Sequence, residues 1–399
     1  MRRFRSQQMI ITVNGTSIKK IVMLAILGFM MMFTVVGVMT SLKPEYRITS
    51  SSVNNVATHF PGEAFVHLLS FENHYFSQTL PEEKRKPKYS SMMFEMMTSV
   101  NLEDPRSLLG SELPGFSIFD SEIIVAGEGL DYTNMPYESA PPLEVMLAER
   151  EASVESLGQA EKSSDAKPVP PPKMTTNGKK VVYIYHTHTH ESYLPALKGV
   201  TDLSSAFHPT VNVTKVGEKL AEEMEKRGIG AEVNTEDFID KLVKNGMKYY
   251  QAYDVSRKTV EEAMAKNRDL QYFIDIHRDT RRRNDTTVTI NGSDYARIVF
   301  IIGGNNAKYE KNLQIAKDLH ELLQQKYPGL SKGVIQKKGA GTNGKFNQDL
   351  SENAILIEFG GVDNTFEELF RTASAVADVF SEYYWQAEKV QSPSPKQKQ

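Results

Sequence analysis

Over its C-terminal half the chain alternates short apolar runs with longer stretches of helical spacing. VVYIY (181–185), QYFIDIH (271–277), TVTI (287–290), ARIVFIIGG (296–304) and AILIEFG (354–360) have the length and the β-branched and aromatic content of strands, and AEVNT (231–235) is a shorter one. Helical patterns lie between them. KVGEKLAEEMEKRG (215–228) sets Val216, Leu220 and Met224 in line and stops at Gly228. Further helices are predicted over 249–266, over 305–329 (where Pro-Gly ends the run) and over 365–385. Strands and helices in this alternation build an α/β unit, a twisted, mainly parallel sheet flanked by helices. It spans 179–387.

The pattern changes upstream. Residues 148–178 turn to Glu, Ser, Lys and Pro, with KPVPPPK as a locally stiff, extended linker. Residues 42–147 mix short amphipathic stretches with many turn residues. Helical spacing in AFVHLLSFENHYF (64–76) makes His67 and His74 ordinary helix-face residues, and the Met-rich SSMMFEMMTSV (90–100) reads as core filling. No chemistry attaches to that region. The tail, 388–399, is disordered by composition.

One apolar run is too long for a strand. From Ile21 to Thr40 there is no charge, and at ~1.5 Å per helical residue that length covers the ~30 Å core of a bilayer. Residues 1–20 carry Arg2, Arg3, Arg5, Lys19 and Lys20 and no acid, which places them in the cytoplasm. Residues 21–41 are therefore expected to be a single transmembrane helix, with everything after Lys43 outside the cytoplasm. A cleavable signal peptide is the alternative. Its apolar region runs to about 7–15 residues before a small-x-small site, whereas SLKPEYR follows here.

Composition narrows the chemistry. A chain of 399 residues can hold two domains and a full core, and a net charge of −3 gives no reason to expect nucleic acid as a partner. There is no cysteine. Disulfides, thiolate zinc sites and thiol nucleophiles are excluded together, so any metal must be held by His, Asp or Glu.

Three ionisable clusters end three of the apolar runs: His186, His188, His190 and Glu191 after VVYIY; His277, Arg278 and Asp279 after QYFID; and Glu358 just before a Gly-Gly turn. Parallel sheets collect reactive groups at the carboxyl ends of their strands. Read as a continuing strand, His186 and His188 would share a face, and a His-x-His pair with Glu191 nearby can bind zinc. A polar, histidine-rich loop is the other reading. His277 is flanked by Asp275 and Asp279, either of which could fix its tautomer, although a solvent-facing histidine after a strand is also possible. Glu358 interrupts an apolar strand, where a carboxylate is costly unless paired or ligated. Burial would raise its pKa toward that of a general base, and pairing with one of Arg281–Arg283 is the alternative.

YIYHTHTHESYLP, NVTKVGEKLAEEMEKRG, FIDIHRD and ILIEFGGVDNT together resemble the stage II sporulation protein P family, strongly over the C-terminal unit and in layout only over the anchor and linker. That family is membrane-anchored and degrades peptidoglycan during engulfment, and its catalytic part resembles zinc-dependent N-acetylmuramoyl-L-alanine amidases. Their aspartate-x-glycine-histidine turn, laid on Tyr185-His186-Thr187-His188, puts the ligand at His188 rather than His186. Their serine-isoleucine-histidine turn falls on Asp275-Ile276-His277. Their glutamate-x-glycine motif with a following asparagine matches Glu358, Gly360 and Asn364. The amidases' second ligand, a glutamate opening the first helix, has no clear counterpart between Asn212 and Lys219; Glu218 sits too far along, and Glu191 is the substitute.

The resemblance implies a Zn²⁺ ion held by His188, His277 and Glu191, with Glu358 as the catalytic base. The bond cut would join the muramyl lactyl group to L-alanine, with endopeptidase activity on stem-peptide cross-links as a second activity. Stage II sporulation proteins D and M would be partners. Two other readings remain: a wall-binding scaffold with a vestigial site, and a zinc peptidase acting on protein.

Overall fold

The computed structural model describes residues 121–137, 143–153, 157–158, 160 and 170–391 except 340–341, with 28, 66, 70 and 74–79 further upstream. The chain divides into two compact units, Met1–Thr98 and Ser99–Gln399. In the first, Val66 and Ser70 are helical and His74–Thr79 forms a 3-10 helix. The segment 21–41, Gly28 apart, lies outside the described residues, as do His67 and the tail beyond 391. No helix among the described residues is long and apolar enough to cross a membrane.

In the second unit seven strands form one sheet: β1 (Ser121–Ala126), β2 (Lys180–Tyr185), β3 (Gly230–Val233), β4 (Tyr272–Asp279), β7 (Ile298–Gly303), β8 (Ser331–Lys337) and β9 (Ala354–Gly361). The order across it is β1-β8-β7-β9-β4-β2-β3, while β5 (Thr287–Ile290) and β6 (Ser293–Ala296) make a separate hairpin. β2–β3, β2–β4, β4–β9 and β7–β8 are parallel; β7–β9 and β1–β8 are antiparallel. The sheet is therefore mixed and mostly parallel. The expected alternation holds around β2, β4 and β9, and the reversal comes at β7, which follows the β5–β6 hairpin.

Two of these strands have no counterpart in the sequence reading. β8 is buried along most of its length, Lys332 and Gln336 included. β1 comes from upstream of the linker segment and pairs with β8, Ile123 opposite Ile335. The chain leaving β1 stays close to that strand, with the Gly127 amide donating to the Lys332 carbonyl at 2.7 Å.

Among the described residues, apart from the single turn Arg283–Thr286, the unit's helices are α1 (Leu143–Leu147), α2 (Thr214–Lys226), α3 (Phe238–Lys244), α4 (Ala252–Lys266), α5 (Tyr309–Lys326) and α6 (Phe366–Gln391). Alternate residues of a strand point to opposite faces, and the core follows that rule. Val182, Ile184, Ile274, Ile276, Ile298, Phe300, Ile355 and Ile357 pack with α2, α5 and α6. Tyr183, Tyr185 and Phe273 pack with α3 and α4 on the other side. Val299, Ile301 and Leu356 extend that second side, packing with Tyr253 of α4 and with Phe346.

Candidate metal centre

The same parity places the reactive groups. Asp275 and His277 follow Phe273 at intervals of two, and Glu358 follows Leu356, so all three fall on the α4 side of the sheet. Register brings them level: Tyr185 is opposite Asp275 on β2–β4, Asp275 is opposite Leu356 on β4–β9, and His277 is opposite Glu358.

The end of β2 behaves differently from the expectation. The strand stops at Tyr185, and the backbone turns through Thr187–His190, so His186 and His188 do not share a strand face. His186 is buried against α2 beside Gly217, where a Cβ would collide with its ring, and its Nδ1 lies 3.1 Å from the Asn234 carbonyl oxygen. Burial pushes its pKa down to about 4. His190 Nε2 lies 2.8 Å from Asp237 Oδ2, and the same carboxylate caps α3 by accepting from the Asp240 amide at 2.9 Å. Of the three histidines, His188 alone turns toward His277.

His188, Glu191 and His277 form a buried group in which one donor atom from each lies within 4.8 Å of the others. His188 Nδ1 is 3.7 Å from Glu191 Oε1, and His277 Nδ1 is 3.8 Å from Glu191 Oε2. These separations are too long for hydrogen bonds. They are close to the edge of a tetrahedron with ~2.0–2.2 Å arms, about 3.4 Å, which is the spacing that ligands of one zinc ion adopt. The donor set, two imidazoles and a carboxylate, also suits zinc. Glu218, by contrast, is on the surface of α2 and pairs with Lys215 at 2.9 Å. Glu191 is held in place by its neighbours: its Oε2 accepts from the Arg278 amide at 2.9 Å, and its own carbonyl accepts from the Val213 amide at 2.8 Å.

The far side of the His277 ring meets Asp275, with Nε2 and Oδ2 3.2 Å apart. Burial pulls the imidazole pKa down, but the fully buried Asp275 more than offsets this and the pKa stands above its ordinary value. Nε2 faces the carboxylate at ion-pair distance without an aligned hydrogen bond, and Nδ1 is left toward Glu191, the arrangement of a histidine with an outer carboxylate on one nitrogen and a ligand position on the other. The rings are boxed in by aromatics. Tyr249 stacks on His188 at 4.4 Å between centroids, and Tyr253 lies edge-on to His188 at 5.4 Å and parallel to His277 at 6.1 Å. Neither tyrosine belongs to a motif, and only their position at the start of the helical stretch from 249 could have drawn attention to them.

Glu358 is 6% exposed, and its Oε2 has no hydrogen-bond partner among the described residues. None of the three arginines considered for it is used this way. Arg281 donates to the Met135 carbonyl, Arg282 pairs with Asp363, and Arg283 pairs with Asp294 and Glu368. Burial pushes the Glu358 carboxyl up to about 7, against the opposing pull of His277. The glycine and asparagine that follow shape the backbone turn. Gly360 has φ +64°, and Asn364 Oδ1 accepts from the Gly361 amide at 2.8 Å, so a side chain at 360 would be strained and would also crowd that oxygen.

A family model described as stage II sporulation protein P matches residues 103–381, a span that takes in β1 as well as the rest of the sheet. The stage II sporulation protein P of Bacillus subtilis (strain 168) is 51% identical over 390 residues, covering 98% of this chain and 97% of that protein.

Proposed function

The chain belongs to the stage II sporulation protein P family, and from that premise we propose that it is a membrane-anchored, zinc-dependent peptidoglycan hydrolase of engulfment. The reaction is hydrolysis of the amide between the muramyl lactyl group and L-alanine, with cleavage of stem-peptide cross-links as a second activity. The observation that carries the reading is the buried His188–Glu191–His277 group level with the unpaired carboxylate of Glu358. A binding module gains nothing from such a carboxylate, since burying it costs stability.

His188, Glu191 and His277 would hold the ion. Zinc bound there supplies Lewis acidity to the amide carbonyl and makes water acidic near neutral pH. Glu358 takes one proton from the attacking water and returns it to the leaving nitrogen, so that OH ends on the lactyl carbonyl carbon and H on the L-alanine amine. A carboxyl held at about 7 suits both halves of that exchange. Asp275 keeps the His277 ring oriented throughout. The anchor over 21–41 would tether this unit outside the cytoplasm, where stage II sporulation proteins D and M would join it.

The test is incubation of the zinc-loaded protein with purified peptidoglycan, scoring new L-alanine amino termini. Their appearance supports the amidase reading. Binding to wall without release supports a scaffold instead, and cleavage of casein but not of wall supports a zinc peptidase acting on protein.

A further inference from the structure

Phe346 and Asn347, in the loop ahead of β9, both have left-handed backbone, with φ of +51° and +56°. Two consecutive non-glycine residues in that region are a costly arrangement that persists only where the surroundings enforce it. Both side chains are buried and both reach the metal group by a separate route. Phe346 packs edge-on against Tyr253 at 5.5 Å, and Tyr253 lies parallel to His277 and edge-on to His188. Asn347 Nδ2 donates to the Tyr253 carbonyl at 3.2 Å and to Ser256 Oγ at 3.0 Å.

From Ser256 the hydrogen bonds continue inward. Ser256 Oγ is 2.9 Å from Thr187 Oγ1, and Thr187 donates its hydroxyl to Asp275 Oδ2 at 2.6 Å and its amide to Asp275 Oδ1 at 2.9 Å. Asp275 Oδ2 is the atom that meets His277 Nε2. The amide of Asn347 thus ends a chain of side chains that leads to a would-be ligand, and every member is buried: Ser256, Thr187 and Asp275 are fully so.

We propose that the Phe346–Asn347 corner is the positioning element of the metal site, fixing the orientation of His277 through Tyr253 on one side and through Ser256, Thr187 and Asp275 on the other. None of Phe346, Asn347, Tyr253, Ser256, Thr187 and Asp275 belongs to the His188–Glu191–His277 donor group. They act by limiting how far the His277 ring can turn, which sets the affinity and the symmetry of the site. The inference rests on the metal-site reading given above.

The experiment uses the full-length protein in detergent, with Zn²⁺ uptake measured by chelator competition and the Co²⁺-substituted form by its visible spectrum. Asn347→Gly removes the amide while glycine enters the left-handed backbone without strain. Ser256→Ala breaks the chain midway and leaves the corner intact. Both variants are expected to weaken zinc binding measurably, by less than the roughly tenfold or more that loss of a ligand's own outer hydrogen-bond partner costs, because they act through Thr187 and Asp275. The Co²⁺ bands should shift while the far-ultraviolet circular dichroism is unchanged. Wild-type affinity and an unshifted spectrum in both variants overturn the inference and leave the metal site standing. Failure of the wild-type protein itself to take up either ion overturns both.

Discussion

His277 and Glu358 are register partners on adjacent parallel strands, level with each other on the α4 side of the sheet. One is poised to bind an ion and the other to move a proton, so they can be separated by substitution. Glu358→Gln keeps the shape and removes the proton acceptor. Hydrolysis should fall by about 10²–10⁴-fold while zinc content stays near stoichiometric. His277→Ala should lower both together. Loss of zinc from Glu358→Gln would make that carboxylate a ligand, and retention of full activity would make it structural.

A site built without cysteine is held by three side chains among the described residues. A strong chelator should abolish wall hydrolysis, and added zinc should restore it. Full activity in a metal-depleted sample contradicts the metallohydrolase reading.

Glu191 and Glu218 offer a direct contrast. Glu191→Ala removes the carboxylate that both imidazoles face, and zinc content measured by atomic absorption should collapse. Glu218→Ala removes a surface partner of Lys215, and zinc content should not change. The reverse result would restore the helix glutamate as the ligand.

Glu223 of α2 governs a response to acid. Burial opposes its ionisation, but Arg227, Lys226 and Ser374 donate to it at 2.7, 3.0 and 3.0 Å and hold its pKa down to about 2. A carboxylate whose folded pKa lies below its unfolded value of about 4.5 stabilises fully above the latter, and the contribution drains away as pH falls toward about 2. The melting temperature of Glu223→Gln should therefore lie below wild type at neutral pH and converge with it near pH 2. A constant difference across the range would show that the ionised form contributes nothing.

The anchor makes a simple prediction. A reporter fused to the C-terminus should be active only outside the cytoplasm, and the protein should sediment with membranes at full length. A soluble mature form lacking residues 1–40 would favour a signal peptide.

The parts of this architecture that announce themselves in the sequence are those where apolar content and periodicity coincide. β2, β4 and β9 are continuous apolar runs, and α2 carries its buried residues at helical spacing, so both the layers and the level of the site could be read from them. β8 could not, because SKGVIQK spends its burial on Lys332 and Gln336, whose polar ends find partners or company inside, as Lys332 does with the Asn134 carbonyl at 3.0 Å. β1 is a short, half-exposed edge strand ahead of a Pro-rich segment, and nothing local marks it as part of the sheet. The antiparallel pairing of β7 with β9 depends on how the β5–β6 hairpin redirects the chain, a tertiary matter. At the site, Glu191 was visible through its closeness to His188. The different fates of His186 and His188 were not legible from strand parity, which lapses where the backbone turns after Tyr185; only the resemblance to the amidase turn favoured His188. Thr187, Ser256 and Asn347 are ordinary residues in sequence, and only the fold assembles them.

The pairing of β1 with β8 joins segments roughly two hundred residues apart, and it has a cost for anyone who divides the chain at the linker. Cut at 178, the sheet would end on β8, a row of amides and carbonyls stripped of their partner and free to pair with another copy. Gly333, with φ +142° and the Val125 carbonyl packed against it, would lose the neighbour that occupies its open side. Such a fragment should aggregate even with every metal-binding residue present. One that begins ahead of Ser121 keeps β8 paired and is the better piece on which to study the chemistry in solution.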